Sequence, residues 1–293
     1  MPELPEVEVL VRHLRPLLRG KIIHAVRVAR PRILRPTSVR SFTQKLRDAR
    51  FDDLSRRGKF LLFTLSQTKG HETIRLVGHL GMTGRMYLLP KRAALPKHTA
   101  VSIDLGDKQF VFEDTRYFGR LTLETRAIER LGPEPLSNEW TAGLFAEALR
   151  SSAQPIKVKL LDQTLVAGIG NIYASEALFR SGISPRIAAR KLRTQQVLRL
   201  WGSIREVLAE AIDRGSSQEL NYAGDSERAD GFFYYGRSPG EDLPEPFSVY
   251  GRVGEPCLIC GQLIRRLIQA ARSTFYCPHC QTANSGRWTR TCP

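Results

Sequence analysis

The chain has 293 residues, 42% hydrophobic and 25% charged, which fits a folded protein of about two domains and excludes a disordered or fibrous one. No apolar run approaches the roughly 18 residues of a membrane span, and residues 1–20 lack the apolar stretch of a secretion signal, so a cytosolic protein is expected. Net charge is +16 and it is uneven: residues 1–60 hold 15 Lys and Arg against 6 Asp and Glu, and residues 251–293 hold 6 against 1, so two basic ends flank a nearly neutral middle and suggest two surfaces meeting one polyanion.

The chain opens with Pro2-Glu3-Leu4-Pro5-Glu6-Val7-Glu8. Val7, Leu10, Val11, Leu14 and Leu18 then follow helical spacing from Pro5 onward. Taken alone, this is a helix start with acids at its positive end. It also offers chemistry. Excision of Met1 would leave Pro2 with a free secondary amine. An α-amino group has a pKa near 7.7–8.0 against about 10.4 for lysine, so at neutral pH it supplies roughly a few hundred times more free amine. Attack by such an amine on a sugar C1′ gives an iminium, an electron sink that permits elimination of phosphate. Glu3 is placed to move the protons.

Short β-rich segments follow at Ile22–Val28, Phe60–Leu65, Thr73–Leu76, Met86–Leu89, Ala100–Leu105, Gln109–Phe112 and Leu121–Glu124. They predict a β-sandwich or barrel with one leading helix over 1–135. The break Leu131-Gly-Pro-Glu-Pro-Leu136 ends it. Helices are predicted at Thr141–Leu149, Pro155–Leu161, Ile172–Phe179, Pro185–Ala189 and Thr194–Ile212, in a second domain over 136–248 whose last part, Gly215–Ser248, reads as a loop. A third segment, 249–281, precedes a tail, 282–293. The fold class expected is α+β.

The third segment holds Cys257-x2-Cys260-x16-Cys277-x2-Cys280. Each pair turns two thiolates toward one ion, and sixteen residues suffice for a β-hairpin that joins the pairs. Four sulfurs with no open position imply one structural Zn²⁺, coupled to local folding. Arg265, Arg266 and Arg272 lie between the pairs with no acid, which suits phosphate or groove contact. His279 is read as incidental and Cys292 as a free thiol.

These motifs together resemble the formamidopyrimidine-DNA glycosylases and, more broadly, their endonuclease VIII-like relatives. The likeness runs from Pro2 to Gln281, and Pro2-Glu-Leu-Pro-Glu6 favours the formamidopyrimidine branch. It implies a bifunctional glycosylase and abasic-site lyase of base excision repair, acting on duplex DNA with oxidised purines or abasic sites, as a monomer in the bacterial cytosol or nucleoid. Pro2 corresponds to the Schiff-base nucleophile, Glu3 to its acid/base partner and Glu6 to a supporting acid. Lys59, in Arg57-Gly-Lys-Phe60, resembles the family's catalytic lysine. Gly78-His-Leu-Gly-Met-Thr-Gly84 implies that Met82 enters the base stack. Asp114-Thr-Arg-Tyr-Phe-Gly119 implies that Arg116 faces the widowed base while Phe118 wedges beside it. His98 joins these DNA contacts. Apolar wedges offset the stacking lost when a nucleotide flips.

Asp162-Gln-Thr-Leu-Val-Ala-Gly-Ile-Gly-Asn171-Ile-Tyr-Ala-Ser-Glu176 resembles the family's helix–two-turn–helix. Gly168 and Gly170 are its turn glycines, and Asn171 opens the second helix toward phosphate. Lys157 corresponds to a lysine near the lesion pocket, and Arg272 to the zinc-hairpin arginine. Tyr117 stands where arginine is common and is expected to change little. Gly215–Ser248 departs most from the family's lesion-capping loop, and the tail with Arg287, Trp288 and Arg290 extends past the usual end. Two alternatives stay open: specificity for oxidised pyrimidines, and a DNA-binding homologue without activity.

Overall fold

The computed structural model describes residues 2–68, 72–216 and 247–282. Most of the expected Gly215–Ser248 loop therefore lies outside the described residues, as do Met1, Arg287, Trp288, Arg290 and Cys292. Gly215 and Ser216 close a helix instead of opening a loop. The described chain divides into two compact units, one running to Glu129 and taking in residues 214–216 at the end of the last long helix, the other from Arg130 to Asp213 and again from Phe247 on.

In the first unit, helix α1 (Leu4–Leu18) leads. Strand β1 (Ala25–Val28), helix α2 (Val39–Leu46) and strands β2 (Ala49–Arg57), β3 (Phe60–Gln67), β4 (Thr73–His79), β5 (Gly84–Pro90), β6 (Thr99–Asp104), β7 (Lys108–Asp114) and β8 (Arg120–Thr122) follow, with a short helix α3 (Arg126–Glu129) last. The strands make two antiparallel sheets, ordered β1-β6-β7-β5 and β2-β3-β4-β8. Leu61, Phe63 and Leu65 of β3 are buried at every second position, the mark of a sheet with one face in the core. Phe63 meets Phe110 of β7 edge-on at 5.8 Å, so side chains of the two sheets share one core. Val7, Leu10, Val11, Leu14 and Leu18 lay the apolar stripe of α1 onto it.

Three elements of this unit, β2, α2 and the short α3, lie outside the expectation. In β2 the buried residues are Ala49, Phe51 and Leu54. The step from two to three residues comes from a bulge between Phe51 and Asp53, which breaks the alternation that marks a strand. Helix α2 buries only Phe42 and Leu46, with Ser38 accepting the N–H of Ser41 at its start.

The second unit is helical: α4 (Ala142–Arg150), α5 (Ile156–Leu160), α6 (Asn171–Arg180) and α7 (Thr194–Ser216). The helix expected over Pro185–Ala189 does not form. Ile187 accepts the N–H of Ile156 and Ala189 donates to Gln154, so the segment pairs in strand fashion, with a bridge between Pro155 and Ala188. A 3-10 turn follows at Ala189–Lys191.

The hairpin β9 (Arg265–Gln269) and β10 (Arg272–Tyr276) completes the unit. Its two turn residues, Ala270 and Ala271, both have positive φ, 47° and 57°. A two-residue turn of this hand needs that geometry. An L residue there costs roughly 1–2 kcal/mol, of which glycine's greater unfolded freedom returns about half. Ala271→Gly is therefore expected to stabilise the hairpin by about 0.5–1 kcal/mol. Slower amide exchange across β9–β10 would register it; faster exchange would refute the strain.

Candidate active site and nucleic-acid interface

In the first unit, Pro2 is buried directly ahead of α1. Glu3 is its N-cap and is also buried, and its N–H donates to the Glu6 carboxylate at 2.7 Å. The two form a capping box. The acid pair thus fixes the backbone that carries the Pro2 nitrogen. Farther along α1, Glu8 accepts from Arg56 at 2.8 Å and from Arg12 at 2.9 Å. Burial raises the Glu8 carboxyl, but these two guanidinium groups outweigh it and hold the group below the usual carboxylate range.

Arg56 also donates to the carbonyl of Gly58 at 3.1 Å. Gly58 and Lys59 are the two-residue turn between β2 and β3, closed by the pair Arg57–Phe60. Gly58 takes φ 55° there, as the first position of such a turn favours glycine. Lys59 is 92% buried at the hairpin tip, being 8% exposed. The path Glu8–Arg56–Gly58 therefore ties the N-terminal helix to the turn that presents Lys59. Sequence reasoning did not single out Glu8 or Arg56, because an acid on a helix and an arginine in a charged strand look like solvated surface.

His79 is a further residue without an assigned role in the sequence. It pairs with Phe60 in the β3–β4 ladder, and the two rings lie 4.8 Å apart. Burial first, then the charges of Lys59 and Arg120, pull its imidazole down to about 4. It is neutral at physiological pH, and its Nδ1 accepts the N–H of Gly81 at 3.0 Å.

Gly81 begins the turn that carries Met82. Met82 and Phe118 are among the exposed large apolar side chains, at 41% and 55%, and Arg116 is exposed between them in the chain. The loops that carry them leave one ladder, since Gly84 of β5 pairs with Asp114 of β7. His98 is half-buried, with its carbonyl accepting the N–H of Asp114 at 3.1 Å. Tyr117 has φ 55°. Its ring lies under the Arg30 guanidinium at 5.2 Å and its hydroxyl is 3.4 Å from His98 Nδ1. Tyr117 is thus more engaged than its expected neutrality, since it packs on the core while its neighbours point outward.

In the second unit, Lys157 is fully buried, and its ammonium donates to Asn171 Oδ1. Asn171 is the first residue of α6, preceded by Gly170 as N-cap. Its amide donates onward to the carbonyl of Ser273, the residue after Arg272, at 2.9 Å. Lys157, Asn171 and the zinc hairpin are therefore one connected group. Gly168 takes φ 85°, whereas Gly170 keeps an extended backbone. Gln163 holds the turn, accepting from Gly168 and donating to Ile169. Glu176, which sequence reasoning passed over, accepts the N–H groups of Ser248, Val249 and Tyr250 at 2.8–2.9 Å. It thereby anchors the entry to the zinc segment on α6. Arg265, Arg266 and Arg272 are exposed.

The four sulfurs of Cys257, Cys260, Cys277 and Cys280 lie within 4.8 Å of one another, with 3.8 Å between Cys257 and Cys280 and 3.5 Å between Cys260 and Cys277. A tetrahedron of Zn–S bonds of about 2.3 Å has edges of about 3.8 Å. Burial, then the neighbouring thiols, push Cys280 well above the ordinary thiol range. Four thiolates at this spacing require a cation among them, and the set fits one zinc. His279 is exposed and outside the cluster.

Three families match in succession: the formamidopyrimidine-DNA glycosylase N-terminal domain over residues 1–121, the H2TH domain of the same glycosylases over 131–221, and the zinc finger found in FPG and IleRS over 254–283. The formamidopyrimidine-DNA glycosylase of Carboxydothermus hydrogenoformans is 40% identical, covering 96% of this chain and 100% of the relative. That of Thermus thermophilus is also 40% identical, with 96% and 98% covered. Among solved structures, the Lactococcus lactis Fpg in complex with abasic-site DNA superposes with TM-score 0.81 at 33% identity, covering 95% of this chain and 99% of the other. A MutM complex with DNA containing carbocyclic 8-oxo-G gives TM-score 0.81 at 34% identity, with 96% and 99% covered.

Proposed function

The chain belongs to the formamidopyrimidine-DNA glycosylase family, and from that premise we propose that the Pro2 nitrogen, freed by excision of Met1, is the nucleophile of a combined base-excision and strand-cleavage reaction. The protein is an oxidised-purine DNA glycosylase of base excision repair, with one structural zinc held by Cys257, Cys260, Cys277 and Cys280. Its partner is DNA containing oxidised bases or abasic sites. Among the described residues no helix is long and apolar enough to cross a membrane. We infer that it acts as a monomer in the bacterial cytosol at the nucleoid, where a substrate of damaged DNA would be met.

The observation that carries the assignment is the buried Pro2-Glu3-Glu6 start and its link, through Glu8 and Arg56, to the turn bearing Lys59. Pro2 attacks C1′ of the damaged nucleotide, the base leaves with a proton, and the sugar opens to an iminium. Loss of a C2′ proton then breaks the C3′–O bond, and a second elimination breaks C5′–O. Glu3 moves the protons and Lys59 meets the neighbouring phosphate. Met82, Arg116 and Phe118 fill the space that the flipped nucleotide leaves. His98, Lys157, Asn171 and Arg272 hold the backbone. The domain limits that suit these roles are 1–135 for catalysis, 136–248 for the helical part and 249–281 for the zinc finger.

Release of free base from matched duplexes tests the substrate class. Excision of 8-oxoguanine and formamidopyrimidine is expected to exceed that of thymine glycol by roughly 10-fold or more, the low end of what a shaped pocket achieves between related substrates. A preference for thymine glycol would overturn the purine assignment.

A further inference from the structure

Both loops that bear the wedge residues converge on one buried carboxylate. Asp114 is 0% exposed. Its Oδ1 accepts the Thr83 hydroxyl at 2.6 Å and the Arg116 N–H at 3.2 Å, and its Oδ2 accepts the Gly119 N–H at 2.8 Å. The Arg116 N–H is shared with the Thr83 hydroxyl, also at 3.2 Å. Thr83 directly follows Met82, while Arg116 and Gly119 bracket Phe118. One side chain therefore satisfies donors from both loops.

The backbones also touch. Gly81 has φ 64°, and a Cβ on it would come within 2.7 Å of Gly119 N and of Phe118 C. A Cβ on Gly119 would lie 2.6 Å from the Phe112 ring and 3.1 Å from Asp114 Oδ2. The two backbones approach too closely there to admit a side-chain carbon between them. Because Gly84 and Asp114 form the last rung of the β5–β7 ladder, this arrangement stands on a rigid base.

We propose that Asp114 and Thr83 are positioning residues that lock the two loops into one body, so that Met82, Arg116 and Phe118 enter the duplex as a single preformed wedge. This rests on the glycosylase function proposed above. Asp114 does not touch DNA in this role. It removes the ordering that two independent loops would undergo at each insertion, and a full set of donors around one buried carboxylate tolerates no partial loss.

The consequence is specific to the step at which a stacked base is expelled. An abasic nucleotide has no base to unstack, so its capture depends less on the wedge. Thr83→Val keeps the shape and removes the donor. It is expected to slow single-turnover excision from an 8-oxoguanine duplex by roughly 10-fold. Borohydride trapping on a preformed abasic duplex is expected to stay within about 2-fold of native, while the melting temperature falls by only a few degrees, the size of one donor lost from a buried carboxylate. Thr83→Ser restores the hydroxyl and with it excision. Stopped-flow fluorescence of a 2-aminopurine beside the lesion should report a slower unstacking phase in Thr83→Val alone.

Excision at the native rate in Thr83→Val would overturn the lock. So would an equal fall in excision and trapping, which marks a general structural role. A native chain that neither excises nor traps would instead sink the glycosylase reading, and the lock with it.

Discussion

A chain carrying one extra residue ahead of Pro2 should form no borohydride-trapped adduct with abasic DNA and should release no 8-oxoguanine, while its affinity for the duplex stays within about 3-fold of native, because no phosphate contact is removed. The reason is a change in one atom. With Met1 excised, Pro2 presents a secondary amine, and an ordinary α-amino group, with a pKa near 8, is far less protonated at neutral pH than a lysine. With a residue in front, the same nitrogen belongs to an amide whose lone pair is delocalised into the carbonyl, and it has no nucleophilic character. Loss of the nucleophile from a covalent mechanism typically lowers the rate by roughly 10³-fold or more. The native chain should have an intact mass lower than that of the full sequence by one methionine. Undiminished trapping with the blocked chain would move the nucleophile elsewhere, with the buried Lys59 amine the first candidate.

The parts of this site visible in the sequence are those whose signal is local. The CxxC pairs can be read because a zinc ligand set is a spacing, and β3 because its alternation is unbroken. Helix α1 shows its apolar stripe within fifteen residues. What escaped depends on contacts between segments far apart in the chain. Strand β2 was hidden by its bulge between Phe51 and Asp53, and α2 by its having only two buried side chains. Pro185–Ala189 carries a helical pattern locally, but its backbone partners, Gln154 and Ile156, lie some thirty residues earlier and pair it in strand fashion.

The same division runs through the functional residues. Pro2, Glu3 and Lys59 were reached through motifs, whereas the residues that hold them were not. Arg56 acquires meaning only once Glu8 and Gly58 are placed around it. Asp114 looks like one more strand-end acid until Thr83, Arg116 and Gly119 converge on it. Glu176 sits in a helical motif whose sequence gives no hint of the backbone it binds more than seventy residues later. A motif names the groups that do chemistry; the groups that orient them are specified by the fold.

Cys277→Ser should lower bound zinc from one per chain to near zero and weaken binding to an abasic duplex by roughly 100-fold or more, with the β-sandwich left folded. The segment from Phe247 onward has only a small apolar core of its own. Its core cluster consists of Val249, Cys257, Ile264, Cys277 and Cys280 packed with Phe179 of α6 and Phe275, so three of the cluster's side chains are metal ligands. Zinc binding to such segments supplies on the order of 10 kcal/mol, more than so small an apolar cluster can replace. The loss spreads along specific bonds. Without the hairpin, Asn171 loses the Ser273 carbonyl and Arg186 loses the Tyr276 hydroxyl. Gln281 no longer reaches Ile183, and Arg272 is no longer presented at a fixed place. Hydrogen exchange should accordingly report faster exchange across β9, β10 and the first turn of α6, with β3 and β7 unchanged. Cys292→Ser, outside both pairs in the sequence, is the matched control and should keep full zinc and full affinity. A Cys277→Ser chain with native affinity and native hairpin protection would mean that the fold stands without its metal, and that the arginines of the hairpin do not need it to meet DNA.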